Sequence, residues 1–279
     1  MKALIAMSGG VDSSAAAWLT REAGYDCTGA MMRMFDSDIL PCGDSSCCSL
    51  DDAEDARSVA RKMGMPFYVF NAKSSFAEHV ICDFIRSYEA GLTPNPCINC
   101  NRHLKFDYFL RQAEILGCDK IVTGHYARIS YDENRGRWLL CKAADPSKDQ
   151  SYVLYCLTQE QLSRTLLPLG ELSKEEARAI ARQQGFINAR KKDSQDICFV
   201  PDGDYVAFME HYTGKRYEPG DFLDESGKVV GRHRGAVCYT LGQRKGLGLA
   251  MGAPVYVCGK DMQKNTVTVG PNESLFATT

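Results

Sequence analysis

Residues 2–7, KALIAM, form an apolar run of strand length that stops at Ser8-Gly9-Gly10. Residues 13–23, SSAAAWLTREA, follow at once and are rich in helix formers, and Gly24 ends them as a helix-terminating glycine does. A strand delivered into a helix through two adjacent glycines is the first half of a βαβ unit, which belongs to parallel sheets. The next segments repeat the alternation. Residues 26–34 read as a strand. Ser49-Leu50-Asp51-Asp52 has the spacing of an N-cap with an acid three residues on, opening a helix to about Met63. A strand near 66–70, a helix near 74–90, a helix at 101–116 and a strand at 119–123 complete the series, with irregular stretches at 35–48 and 91–100. The pattern predicts an α/β fold, a parallel sheet covered by helices on both faces.

After Gly124 the pattern loosens. Residues 131–138 resemble a hairpin, and 173–184 form an amphipathic helix with Ser173 as N-cap and Glu176 at the capping-box position. Residues 218–270 are dense in glycine and short β-type runs, which predicts a small β-rich second domain. The expected division is 1–203 and 204–279, and 279 residues suit two domains of roughly 150. With 44% hydrophobic and 24% charged residues, bulk disorder and fibrous repeats are excluded. No apolar run approaches the roughly 18 residues of a membrane helix, and the N-terminal apolar stretch is too short for a signal peptide. A cytoplasmic chain is expected, with no membrane partner.

The formal net charge is −2, so there is no global basic footprint. Residues 1–100 carry 8 Lys/Arg against 13 Asp/Glu, whereas 101–200 carry 16 against 13. Positive charge gathers at Arg190-Lys191-Lys192, Arg232-His233-Arg234 and Arg244-Lys245. Such patches can hold a phosphate backbone, although on charge alone they read as solvated faces. Thirteen cysteines fall short of the roughly 8–10% of a disulfide scaffold, which favours thiol chemistry or metal binding over staples. Cys27, Cys82, Cys118, Cys141, Cys156, Cys238 and Cys258 are expected to be small buried hydrophobes.

Two segments carry chemistry. In Ser8-Gly9-Gly10-Val11-Asp12-Ser13-Ser14 the glycines allow a tight turn, so that loop and helix N-terminal N–H groups face an anion. Ser8, Ser13 and Ser14 can donate to phosphate oxygens. Asp12 does not favour a bare anion and points to a bound Mg²⁺ or a ribose contact. The loop is neither GxxxxGK[ST] nor GxGxxG. The string SGGVDSS resembles the phosphate loop of the ATP-pyrophosphatase group of α-hydrolase enzymes, which implies cleavage of ATP between its α and β phosphates. The second segment is Thr93-Pro94-Asn95-Pro96-Cys97-Ile98-Asn99-Cys100. Its CxxC precedes the predicted helix, where a thiol gains thiolate character. It could be half a zinc site, a redox pair or structural. Cys198 follows a basic run, and Cys42, Cys47 and Cys48 add candidates in an irregular loop.

Over nearly its whole length the chain resembles the bacterial tRNA-specific 2-thiouridylase family. The resemblance is carried by SGGVDSS (8–14), GAMMRMF (29–35), TPNPCINCN (93–101), LKF (104–106), TGHYARI (123–129), KDQSYVLY (148–155), LPLGELSKEEAR (167–178), KKDSQDICF (191–199) and TLGQRKGLG (240–248). It implies an ATP site at Ala6, Met7, Ser8, Gly9, Gly10, Val11, Asp12, Ser13, Met32 and Gly124, with MgATP as substrate. It implies that Cys100 is the nucleophile and Cys198 the persulfide carrier. It sets Asn95, Pro96 and Cys97 at the target base, and His125, Lys148, Asp149 and Gln150 at tRNA. The implied reaction is 2-thiolation of the wobble uridine, with a cysteine desulfurase or sulfur-relay protein as donor. Many members carry Asp at the position of Cys97; three thiols, Cys97, Cys100 and Cys198, could instead hold a [4Fe–4S] cluster. Members usually continue for roughly another 80 residues as a C-terminal β-barrel, which this chain is expected to lack. Two other classes stay open: another ATP ligase of the same loop type, or a cluster-binding RNA module without turnover. Amide formation needs no thiols, which argues against the first; ATP-to-AMP conversion with tRNA present separates the second.

Overall fold

The computed structural model describes residues 1–36, 39, 50–191 and 197–276. The candidates Cys42, Cys47 and Cys48 and the cap Ser49 lie outside the described residues. Among those described, contacts divide the chain into two units. One holds 1–36, 50–80 and most of 96–203; the other holds 81–95 and 204–276.

The first unit opens with β1 (Lys2–Ala6), α1 (Val11–Glu22), β2 (Asp26–Arg33), α2 (Leu50–Lys62) and β3 (Phe67–Asn71). A helical run begins with α3 (Lys73–Phe76), passes through a π-helical turn at Ala77–Ile81 and continues as α4 (Cys82–Glu89). A second run starts with α5 (Pro96–Asn99), becomes π-helical over Cys100–Tyr108 and ends as α6 (Phe109–Ile115). Then come β4 (Lys120–Val122), the hairpin β5 (Arg128–Asp132) and β6 (Arg137–Cys141), α7 (Gln159–Ser163), β7 (Thr165–Leu166) and α8 (Lys174–Gln183). The strands form one sheet in the order β3-β2-β1-β4-β7, every pairing parallel. Ala3, Leu4 and Ile5 are fully buried, which explains why β1 reads as a continuous apolar run rather than an alternating one.

Three readings are corrected. The helix expected from 101 begins at Pro96, so the CxxC lies inside its first turns rather than before it. Proline suits a first helical position because its missing N–H would be unsatisfied there anyway. The two-residue strand β7 was not anticipated; it is too short for a periodic signal. Of the seven cysteines expected to be buried, Cys27, Cys118 and Cys238 are buried, Cys141, Cys156 and Cys258 are half-buried, and Cys82 is exposed.

The hairpin at β5–β6 and the capping box at α8 are as expected. Ser173 Oγ accepts from the Glu176 N–H at 3.3 Å, and Glu176 Oε2 accepts from the Ser173 N–H at 2.7 Å. Ser173→Ala is expected to cost about 1 kcal/mol, read as a lowered denaturation midpoint.

The second unit carries α9 (Tyr205–Thr213), β8 (Gly220–Leu223), β9 (Val229–His233), β10 (Tyr256–Asp261) and β11 (Thr266–Gly270) in a sheet ordered β10-β11-β8-β9. Its core joins Phe222, His233, Tyr239, Val257 and Val267. Residues 81–95 join it because α4 packs on α9: Tyr88 stacks on Tyr205 at 4.1 Å, and Phe84 meets Phe208 edge-on at 6.5 Å. Among the described residues, no helix is long and apolar enough to cross a membrane.

Candidate active site

In the first unit, β2 and β3 lie to one side of β1, and β4 and β7 to the other. An open parallel sheet leaves a crevice at the carboxyl ends of its strands where the order reverses. There the loops after β1, β2 and β4 border a cavity of about 450 Å³, ordinary for a small-molecule site.

The loop after β1 is shaped by close backbone approaches. Gly9 has φ +75°, and a Cβ there would lie 2.3 Å from the Asp52 carbonyl oxygen. Gly124, just beyond β4, is packed against the same loop; a Cβ would lie 2.9 Å from the carbonyl carbon of Asp12 and the nitrogen of Ser13. Both glycines are therefore dictated by packing, whatever ligand they meet. Ser13 and Ser14 donate their hydroxyls to the Gly10 carbonyl at 3.0 and 3.1 Å, and Ser14 is fully buried. Ser14 thus holds the loop rather than facing the cavity.

Asn188 secures this loop from far along the chain. Its Nδ2 donates to Gly9 O at 2.9 Å, Gly10 O at 3.3 Å and Ser14 Oγ at 2.9 Å. An acid there would turn a carboxylate toward two carbonyl oxygens. Asn188→Asp is expected to raise the KM for ATP about tenfold or more and to lower the melting temperature, since a buried donor lost costs about 1–3 kcal/mol. An unchanged KM would show that the loop keeps its shape without this anchor.

Four lysines, Lys105, Lys148, Lys174 and Lys191, and two carboxylates, Asp12 and Asp52, line the cavity. The site is cationic although the chain as a whole is not. Lys174 Nζ lies 2.7 Å from both Asp12 oxygens, and the Tyr126 hydroxyl donates to Asp12 Oδ1 at 2.8 Å. The Lys174 side chain is 12% exposed. Asp12, expected at Mg²⁺ or ribose, is here held by a lysine and a tyrosine. Lys191 Nζ reaches Asp52 at 2.5 Å and Asp55 at 2.7 Å. Its ammonium form is favoured by these two carboxylates against the opposing effect of burial, so its pKa is raised.

The other wall is sulfur-rich and apolar, with Met7, Met31, Met32, Met34, Phe76 and Phe199. Cys97, Cys100 and Cys198 all line the cavity. Cys100 is 8% exposed, at the start of the π-helical turn, with its thiol 3.9 Å from Met34 Sδ. Cys97 is exposed in the first turn. Cys198 is half-buried, and its neighbour Phe199 packs edge-on against Phe76 at 5.6 Å. Among the described residues, no three His, Cys, Asp or Glu side chains converge as a metal would require. The three thiols share this one cavity.

His125 lines the cavity but is buried; burial, aided by the nearby Lys105 charge, pushes its imidazole pKa well below the usual value. Its Nδ1 lies 2.8 Å from Thr123 Oγ1. Gln150 and Lys148 border the cavity, and Gln150 Oε1 accepts from the Tyr126 N–H at 2.9 Å. Asp149 does not line it. Its carboxylate accepts from the Ala143 N–H at 2.8 Å and the Ser151 hydroxyl at 2.8 Å, shaping the turn. Gly9 and Asn95 are also outside the lining, whereas Ala6, Met7, Ser8, Gly10, Val11, Asp12, Ser13, Met32, Pro96 and Gly124 are within it. Sequence reasoning did not single out Lys105, Lys174, Tyr126, Asp52 or Asn188 as site residues, because no local spacing signals them.

The chain matches the sequence profile described as tRNA methyl transferase HUP domain over residues 1–202, and that described as tRNA methyl transferase PRC-barrel domain over 206–271. The tRNA-specific 2-thiouridylase MnmA of Clostridioides difficile (strain 630) is 50% identical over 99% of this chain and 76% of its own length. The protein of that name from Moorella thermoacetica (strain ATCC 39073 / JCM 9320) is 50% identical over 98% and 76%. That from Symbiobacterium thermophilum (strain DSM 24528 / JCM 14929 / IAM 14863 / T) is 51% identical over 99% and 72%. With identity this high across almost every residue, the chain belongs to the tRNA-specific 2-thiouridylase family.

Proposed function

We propose that this chain is an ATP-dependent tRNA sulfurtransferase that replaces the C2 oxygen of the wobble uridine with sulfur. The observation that carries the reading is the meeting of a cationic phosphate-loop site and three cysteines in one cavity. Methyl transfer, which the profile descriptions mention, would call on neither an ATP-type loop nor paired thiols. The thiols likewise argue against an amide-forming ligase.

The uracil C2 carbonyl is a poor electrophile. In the proposed sequence its oxygen attacks the α-phosphorus of MgATP, forming an adenylate and releasing pyrophosphate. The loop N–H groups, the N-terminus of α1 and Lys174 stabilise the phosphate charge. The target base, unstacked to reach the cavity, lies by Pro96 and Cys97. Cys198 enters as a persulfide loaded by a sulfur-donor protein. Its terminal sulfur attacks C2, and AMP departs with the former carbonyl oxygen. The Cys100 thiolate then attacks Cys198 Sγ; the bridging S–S bond breaks, a Cys100–Cys198 disulfide forms and the 2-thiouridine is released. A thiol reductant supplies two electrons to restore both thiols. A [4Fe–4S] cluster, if bound, would be held by Cys97, Cys100 and Cys198, which line the same cavity, and the iron count below separates the two routes. The reading includes a cytoplasmic location.

The test is thiolation of substrate tRNA by the purified chain with MgATP and a persulfide donor, under anaerobic conditions and with iron counted. Stoichiometric AMP and 2-thiouridine without iron support the reading. Absence of both products with intact tRNA overturns it. Activity that tracks iron content overturns the persulfide route.

A further inference from the structure

A second hollow, of about 510 Å³, lies between β6 and the segment around α7. Arg135, Arg137, Trp138 and Tyr155 border it above a floor of leucines, and no carboxylate is among its lining residues. Tyr131 packs against Trp138 with ring centroids 5.1 Å apart. Tyr152 and Tyr155 are each 63% exposed. Arg135 has a 3.5 Å contact to Asp132 and stays mostly exposed, and Arg137, opposite Asp132 in the hairpin register, is exposed as well. One exposed tyrosine is unremarked on any protein surface. Aromatic faces and guanidinium groups around one hollow are the combination that binds single-stranded nucleic acid, since bases stack on rings and phosphates meet arginine.

The hollow is tied to the catalytic cavity by the chain itself. Gln150 lines the cavity and Tyr155 lines the hollow. Five residues span at most ~18 Å even when fully extended, and a 3₁₀ turn at Ser151–Val153 shortens this. The segment is anchored to the helical run that bears the thiols. Asn101 Nδ2, next to Cys100, donates to Val153 O at 3.1 Å, and Gln161 Nε2 donates to Phe106 O at 2.9 Å.

We propose that this hollow is a second RNA subsite, in which an unpaired nucleotide of the substrate tRNA, distinct from the target uridine, stacks on Tyr155. Arg135 and Arg137 hold the flanking phosphates. The proposal rests on the tRNA-thiolation reading. Because the hollow and Cys100 share anchored backbone, RNA seated here fixes where the neighbouring bases enter the cavity.

The experiment measures affinity for substrate tRNA as a function of salt, together with thiolation rate and ATP affinity without tRNA, in the full chain and in Tyr155→Ala, Tyr155→Phe and Arg137→Ala. Tyr155→Ala should weaken tRNA binding roughly tenfold, and Tyr155→Phe, which keeps the ring, should bind like the parent. Arg137→Ala should lower the slope of log affinity against log salt by about 0.7–0.9, one phosphate contact. ATP affinity should be unchanged in all three. Unchanged tRNA affinity in both alanine variants overturns the proposal, as does equal weakening by Tyr155→Phe. Unchanged tRNA affinity with slowed sulfur delivery from a protein donor would also overturn it, marking the hollow as a protein-docking face. If the parent chain itself neither binds nor thiolates tRNA, the underlying reading fails, a result separable from failure of the variants alone.

Discussion

Replacing Cys100 or Cys198 with serine should reduce sulfur insertion into tRNA at least about 1,000-fold, because a covalent step is lost outright rather than weakened. ATP binding should survive both changes, since neither thiol belongs to the loop proposed to hold the phosphates. The two variants should nonetheless fail differently. Cys198→Ser has no site for the incoming sulfur and should accumulate no persulfide when mixed with the donor. Cys100→Ser should still load Cys198 and attack the adenylated base, and then stall as a Cys198-linked tRNA adduct that a small thiol releases. Mass spectrometry of the loaded protein and a denaturing gel for the adduct distinguish the two. Thiolation at the parent rate by either variant would refute the role assigned to that residue. Cys97→Ser provides the contrast: the persulfide route does not require it, so its loss should impair positioning without abolishing turnover.

Lys174→Met should cut AMP formation about 10- to 100-fold, the size expected for a charge-assisted hydrogen bond to phosphate. Lys174 meets both oxygens of Asp12, and both residues line the cavity. Removing the ammonium leaves the Asp12 carboxylate facing the incoming polyphosphate, so repulsion adds to the lost attraction. The double variant Asp12→Asn/Lys174→Met removes that charge as well. It should recover part of the loss, giving a positive coupling in a double-mutant cycle. A Lys174→Met enzyme with the parent KM for ATP would mean that the ion pair only braces α8 against the loop. Melting curves with and without ATP separate the outcomes: a bracing role lowers both equally, whereas a binding role reduces the rise that ATP produces.

The phosphate loop was legible because its determinants are local. An apolar strand run, two glycines and a run of helix formers occupy 21 consecutive positions, 2–22. The thiol motif was legible as chemistry but not as geometry. Pro94, Asn95 and Pro96 look like a loop, yet Pro96 opens a helix, and the π-helical segment that starts at Cys100 includes Asn101, whose Nδ2 donates to the distant Val153 carbonyl. The cysteine types by themselves also left a cluster and a persulfide pair open; the structure adds that Cys97, Cys100 and Cys198 line one cavity.

By itself the sequence determined the parallel α/β fold, the glycine loop after β1 and the CxxC pair with a distant third cysteine, since each is written in the period, turn chemistry or residue type of a short segment. Only the tertiary structure decided which charges meet. Lys174 reaches Asp12 across 162 residues, Lys191 reaches Asp52 across 139, and Asn188 reaches Gly9 across 179. These partners are brought together by the packing of α2, α8 and the segment after α8 around the carboxyl end of β1. Burial of apolar faces drives that packing without regard to sequence distance, so no local pattern could have named them.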